Sequence, residues 1–113
     1  AASVAAAMRG ESRFEHVRGS PAVVNAPEVA ERVAQVSRGV VGGENVIAVE
    51  PSPVGDDASY FLQGAPGCYF LVGSANPDRG ITAPHHSPQF DIDEAALPIA
   101  AQVLAEAALT YLT

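Results

Sequence analysis

Apolar positions recur at helical spacing in two long stretches of the chain, and three other stretches have the residue content of strands. Between Pro27 and Gly42, Val29, Val33, Val36 and Val40 fall three or four residues apart, which predicts an amphipathic helix with one apolar stripe. Pro27 suits the first helical position because it has no N–H to leave unbonded, and Gly42-Gly43 ends the pattern. Near the chain end, Ala100, Val103, Leu104, Ala107, Ala108 and Tyr111 come near one face. They predict a helix of about four turns that opens at Asp91 or Asp93, tolerates Pro98 early and packs on a sheet. At the other end, the run AASVAAAM has Val4 and Met8 four apart and predicts a helix that stops at Arg9-Gly10.

The segment SRFEHVRG has the aromatic and β-branched content of an edge strand, kinked by Gly19-Ser20-Pro21 before Ala22-Val23-Val24. Asn45 to Glu50 predict a second strand, closed by Pro51 and Pro53. Cys68 to Val72 form an unbroken apolar run between two glycines, the pattern of a strand buried on both faces. Between these last two, VGDDASYFLQGAP predicts a short helix ending at Gly64, with its carboxylates at the positive end of the helix dipole. Residues 73–89 read as loop. The alternation predicts an α/β fold, a mixed or parallel sheet covered by helices, with the best internal boundary between Gly19 and Pro27.

Composition narrows the partners. The chain has 113 residues, 48% of them apolar, enough for one globular domain. It has no Lys, and its formal charge of -7 would repel a phosphate backbone, so nucleic acid is excluded as an expected partner. No apolar stretch approaches the ~20 residues of a membrane span. The lone Cys68 rules out an internal disulfide and suits a reducing, cytoplasmic setting. The first residues show no initiator Met and no signal-peptide layout; they read as the tail of a helix that began earlier, and the chain as a fragment.

The most unusual chemistry lies in APHHSPQFDIDE, two adjacent histidines on a proline-bounded loop between a strand and a helix, where α/β folds collect functional groups. On residue type alone, these imidazoles are either solvated loop side chains or metal ligands and catalysts. The chain has no HxxxH, CxxC or HExxH, so it does not readily build a zinc site by itself. Gly55-Asp56-Asp57 can supply metal ligands, a carboxylate pair for proton transfer, or a helix cap, and the cap is the simplest of the three. His16 reads as a surface residue, and Cys68 among Tyr69, Phe70 and Leu71 as an inert core thiol. Ser59 and Ser87 lack a GxSxG setting, and GVVGGEN lacks phosphate-loop spacing.

Taken together, VGDDASYFL, PGCYFLVGSANP and APHHSPQFDIDEAALPIAAQVLAEAAL resemble, in order and spacing, the C-terminal end of the metallopeptidase family of aminoacylases, hippurate hydrolases, carboxypeptidase G and indole-acetyl-amino acid amidohydrolases. FEHVRGSPAVVN is similar to the strand by which that family's lid domain returns to the catalytic domain. The resemblance implies that residues 1–25 end an α+β lid and dimerisation domain, and that 26–113 form the C-terminal part of a zinc-peptidase-like catalytic domain. It implies a homodimeric enzyme with two divalent ions, Zn or else Mn, Co or Ni. Such an enzyme hydrolyses the amide of an N-acyl amino acid or small peptide with a metal-bridging water and a Glu base.

The histidine before Ser-Pro in that family is a metal ligand, which carries over to His86, with His85 and Asp56 supporting the site. Gly55 and Asn25 carry over as substrate contacts. The family turn often reads Gly-Gly-Glu-Asp-Phe, whereas here it is Val54-Gly55-Asp56-Asp57-Ala58, without the first Gly and the Phe. The resemblance places the other ligands and the base in the missing N-terminal part of the same enzyme, leaving this segment inactive alone. The competing expectation is a non-catalytic structural or interaction module of the same fold, one that folds alone and binds no metal.

Overall fold

Two apolar helical stripes find each other and form the core. The computed structural model describes residues 1–53 and 55–112, and among them contains four α-helices: α1 (Ala2–Ala7), α2 (Pro27–Val41), α3 (Ala58–Gly64) and α4 (Ala96–Leu109). Short 3₁₀ turns lie at Gly43–Asn45 and Pro77–Arg79. As the spacing predicts, α2 starts with Pro27 in its first turn and ends at Gly42, whose φ of 85° only glycine adopts without strain. Val33 of α2 is buried against Val103 and Ala107 of α4, with Val29, Val36, Val40, Cys68 and Phe70 packed around them. The buried face of α4 is narrower than expected. The helix opens at Ala96 instead of Asp91 or Asp93, Leu104 (58% exposed) and Ala108 face outward, and Tyr111 (58% exposed) lies past its end, because α4 packs against the single helix α2 and the 68–70 segment rather than a broad sheet.

The first helix stops where expected, by a different residue. Arg9, not Gly10, takes the left-handed conformation at φ 59°, while the Gly10 N–H donates to Ala5 O (2.8 Å) and the Arg9 N–H to Ala6 O (3.0 Å). These two bonds satisfy carbonyls that the helix end would leave open.

The expected sheet is not formed within this segment. Among the described residues no strand forms, and the sole β pairing is an antiparallel bridge between Asn76 and Ile81. The segments 12–24, 46–50 and 68–72 run without ladder bonds, and residue 45 belongs to a 3₁₀ turn. A strand needs a neighbour's backbone to satisfy its N–H and C=O groups, and no ladder joins any of the three to another; the nearest approach is the single bond from the Ala26 N–H to Gly67 O (2.9 Å). Nor are residues 68–72 buried on both faces: Cys68, Phe70 and Val72 are half-buried toward the helices, whereas Tyr69 and Leu71 are exposed.

Much apolar surface is therefore left open. The accessible area is 9150 Å², against about 5,800 Å² for a compact monomer of this mass. The radius of gyration is 20.2 Å, against about 13 Å for a compact chain of similar length. Phe14, Val17, Ile47, Phe61 and Leu71 are each more than two-thirds exposed. No helix among the described residues is long and apolar enough to cross a membrane.

Candidate functional site

Two consecutive tight turns build the loop that carries the histidine pair. Pro84 O accepts from the Ser87 N–H (3.1 Å), placing His85 and His86 at the centre of the first turn. Ser87 O accepts from the Phe90 N–H (3.0 Å), closing the second around Pro88 and Gln89. The Ser87 hydroxyl locks this second turn, accepting from the Gln89 N–H at 3.2 Å and donating to Gln89 Oε1 at 3.0 Å. His86 has a φ of 67°, as the third residue of a type II turn requires. For a residue with a Cβ this backbone costs on the order of 1 kcal/mol, and such outliers collect at functional sites.

Both imidazoles are exposed, and no hydrogen bond ties either to another described residue. Their rings lie 4.1 Å apart, and the Phe90 ring meets His85 edge-on at 5.1 Å.

The base of the loop is fastened to the start of α4 by Asp93. Its backbone N–H donates to Ser74 O (2.8 Å), and its carboxylate accepts from Asn76 Nδ2, from Arg79 Nη1 at 2.9 Å and from the Ala95 N–H at 3.1 Å. The Asn76 bond foremost, then the Ala95 N–H, with Arg79 adding its charge, holds Asp93 below the ordinary carboxylate range. Asp93 was expected only as a helix opener. Its latch role joins residues 14 to 17 positions apart, a distance over which no local pattern signals contact.

A second group gathers Asn25, Asp56 and Tyr69. The Asn25 side chain meets the Tyr69 backbone as a strand would, donating to Tyr69 O at 2.9 Å and accepting from its N–H at 2.8 Å. The N-cap of α3 is Asp57, whose side chain makes no capping bond; Asp56, one residue earlier, accepts from the Ala58 N–H at 2.8 Å and from the Tyr69 hydroxyl at 3.1 Å. The Ala58 N–H is the main cause that lowers the Asp56 pKa, and the same carboxylate raises that of Tyr69. Gly55 sits so close to Ser20 that an added Cβ would come within 2.8 Å of its hydroxyl. Val54, the first residue of that turn, lies outside the described residues. Asn25 also lines an open groove of about 490 Å³ between the start of α2 and the end of α3. No hydrogen bond or aromatic contact joins this group to the histidine pair. Tyr69, the residue that links Asn25 to Asp56, was not singled out from sequence.

Of the remaining candidates, His16 is exposed and stacks on Phe14 at 6.4 Å. Cys68 lies against the core, where burial pushes its thiol pKa up, as fits an inert thiol. Among the described residues, no three His, Cys, Asp or Glu side chains are grouped to hold a metal ion. What His86 offers is one exposed, uncommitted nitrogen donor on a braced turn, which fits a single ligand of a site completed by other donors.

Comparison with known proteins agrees with the resemblance read from the loop. The model of peptidase family M20/M25/M40 matches residues 8–110. The chain is 39% identical to a candidate amidohydrolase, YhaA, of Bacillus subtilis over 92% of this chain and 26% of that protein. It is 36% identical to thermostable carboxypeptidase 2 of Saccharolobus solfataricus, over 80% of this chain and 22% of that one. To IAA-amino acid hydrolase ILR1-like 4 of Arabidopsis thaliana it is 34% identical, over 81% and 21%. The chain thus spans about a quarter of the length of these relatives. No solved structure matches. Peptidases of this family are hydrolases that generally work with two metal ions, and their domain is consistent with an α/β fold.

Proposed function

Because this chain belongs to peptidase family M20/M25/M40, we propose that it forms the His86-bearing part of a metal-dependent hydrolase that cleaves the amide bond of N-acyl amino acids or small peptides. The observation that carries the reading is the His85-His86 turn. An exposed imidazole, free of hydrogen bonds, is held in a strained conformation on a loop latched at its base and locked beyond its tip. Names given to the relatives, an amidohydrolase, a carboxypeptidase and an amino acid conjugate hydrolase, support the substrate class.

Two divalent ions, zinc in the first instance, would supply Lewis-acid activation of water and of the amide carbonyl. His86 contributes one imidazole donor to them. His85, whose tilted ring lies 4.1 Å from it, and Asp56, which bonds the start of α3, support the arrangement. Asn25 uses one amide hydrogen on Tyr69 and keeps the second for a substrate carboxylate, while Gly55 leaves its backbone open to substrate beside Ser20. The remaining ligands and the general base come from polypeptide beyond this segment.

The same polypeptide covers the open apolar surface and pairs with segments 46–50 and 68–72, completing the sheet. Residues 1–25 then belong to a lid domain, 26–113 to the catalytic domain, and the whole acts as a cytoplasmic homodimer. In the natural full-length polypeptide, N-acyl amino acid hydrolysis is expected to vanish with chelator. His86→Ala should lower kcat/KM by at least about a hundredfold, since even partners of metal ligands cost up to that much. Undiminished hydrolysis by His86→Ala would reject the reading.

A further inference from the structure

Resting on the reading of His86 as a metal ligand, we propose that Phe90 and His85 are positioning residues that hold the His86 imidazole in its binding orientation. Hydrogen bonds close the turn around His86 but do not fix its ring. What touches the ring is His85, at 4.1 Å between centroids and 34° between planes. His85 in turn is backed by Phe90, edge-on at 5.1 Å and 63°.

The second turn, closed by Ser87 O and the Phe90 N–H, exists at the right length to bring Phe90 back over His85, four positions after His86. The three rings form a short row of tilted and edge-on contacts on an exposed loop, and the left-handed backbone of His86 lies at the end of that row. Phe90 is 43% exposed and lies outside the helix core, and its ring meets His85 edge-on. Without it, His85 loses its backing and the turn relaxes toward negative φ, carrying the imidazole with it.

The test uses the natural full-length polypeptide, stripped of metal and titrated with zinc against a chromophoric chelator, with visible absorption of the cobalt-loaded form as a second readout. Phe90→Ala and His85→Ala are each expected to weaken the affected ion by at least about tenfold, as loss of a ligand's supporting partner does, and to shift the cobalt spectrum. The thermal midpoint of the metal-free form should stay unchanged. Phe90→Tyr and His85→Phe, which keep a ring in each place, should restore wild-type affinity and spectrum. Wild-type zinc affinity in Phe90→Ala would overturn the positioning role, as would a loss that Phe90→Tyr does not rescue. His86→Ala separates the two levels of inference. If it loses one zinc equivalent while Phe90→Ala binds normally, the ligand stands and the positioning role falls. If His86→Ala keeps both, the ligand reading falls and takes the positioning role with it.

Discussion

Val103 is the residue on which the α2–α4 core most depends, and truncating it gives a magnitude that the packing fixes in advance. It is 3% exposed and lies against Val33 and Ala107, with Val29, Val36, Val40, Cys68 and Phe70 around them. Val103→Ala removes two buried methyl groups, each worth about 0.8 kcal/mol of transfer free energy. The void adds to this, because Ala107 and Val33 are too short to close it, so the total is about 2 kcal/mol. That energy corresponds to about thirtyfold faster amide exchange wherever exchange requires separating the two helices. Hydrogen exchange by mass spectrometry on the natural polypeptide measures it peptide by peptide, with loss of protection expected in both α2 and α4. Gln102→Ala, one residue away on the exposed side, should stay within about 0.5 kcal/mol. If Val103→Ala exchanged within about twofold of wild type, the helix pair would not be the core that the packing describes.

Acid should loosen the loop base and the start of α3 together. Asp93 and Asp56 both have folded pKa values below the ordinary 3.8, so their stabilisation is fully present above that value and is lost as pH falls through the lower folded values. A stability–pH profile should therefore flatten on its acid side in Asp93→Asn and in Asp56→Asn; an unchanged slope in both would refute the linkage. Gly55→Ala should change stability by less than about 0.5 kcal/mol, because both positions are exposed and the Ser20 hydroxyl that the new Cβ would meet at 2.8 Å can rotate away. Its thermal midpoint should stay close to that of the wild type, and a large loss that Ser20→Ala relieves would contradict a freely rotating hydroxyl.

What could be read from the chain follows the range of the forces involved. The valine stripe, Pro27 and Gly42 located α2 because helices are closed by bonds four residues apart. The same local logic found α1, α3 and α4, although it opened α4 at Asp91 or Asp93 instead of Ala96, ran it on to Tyr111 and widened its buried face to include Leu104 and Ala108. Aromatic and β-branched content in 12–24 and 45–50 and the unbroken apolar run 68–72 marked segments fit for a sheet, but a ladder is a property of two segments, and the content of one cannot supply its neighbour. At the site, the histidine doublet and its Ser-Pro were legible as residues. The left-handed turn at His86, the return of Phe90 onto His85 and the Asn76–Asp93–Arg79 latch were not, because each depends on where the folded backbone brings distant groups.

Metal content probes the central claim most directly. The natural full-length polypeptide, purified with zinc present and freed of excess, should carry two equivalents by elemental mass spectrometry. His86→Ala, with an unchanged thermal midpoint of the metal-free form, should carry one. Two equivalents retained by His86→Ala, or none bound by the wild type with any divalent ion, would contradict the assignment of His86 as a ligand of a two-metal hydrolase.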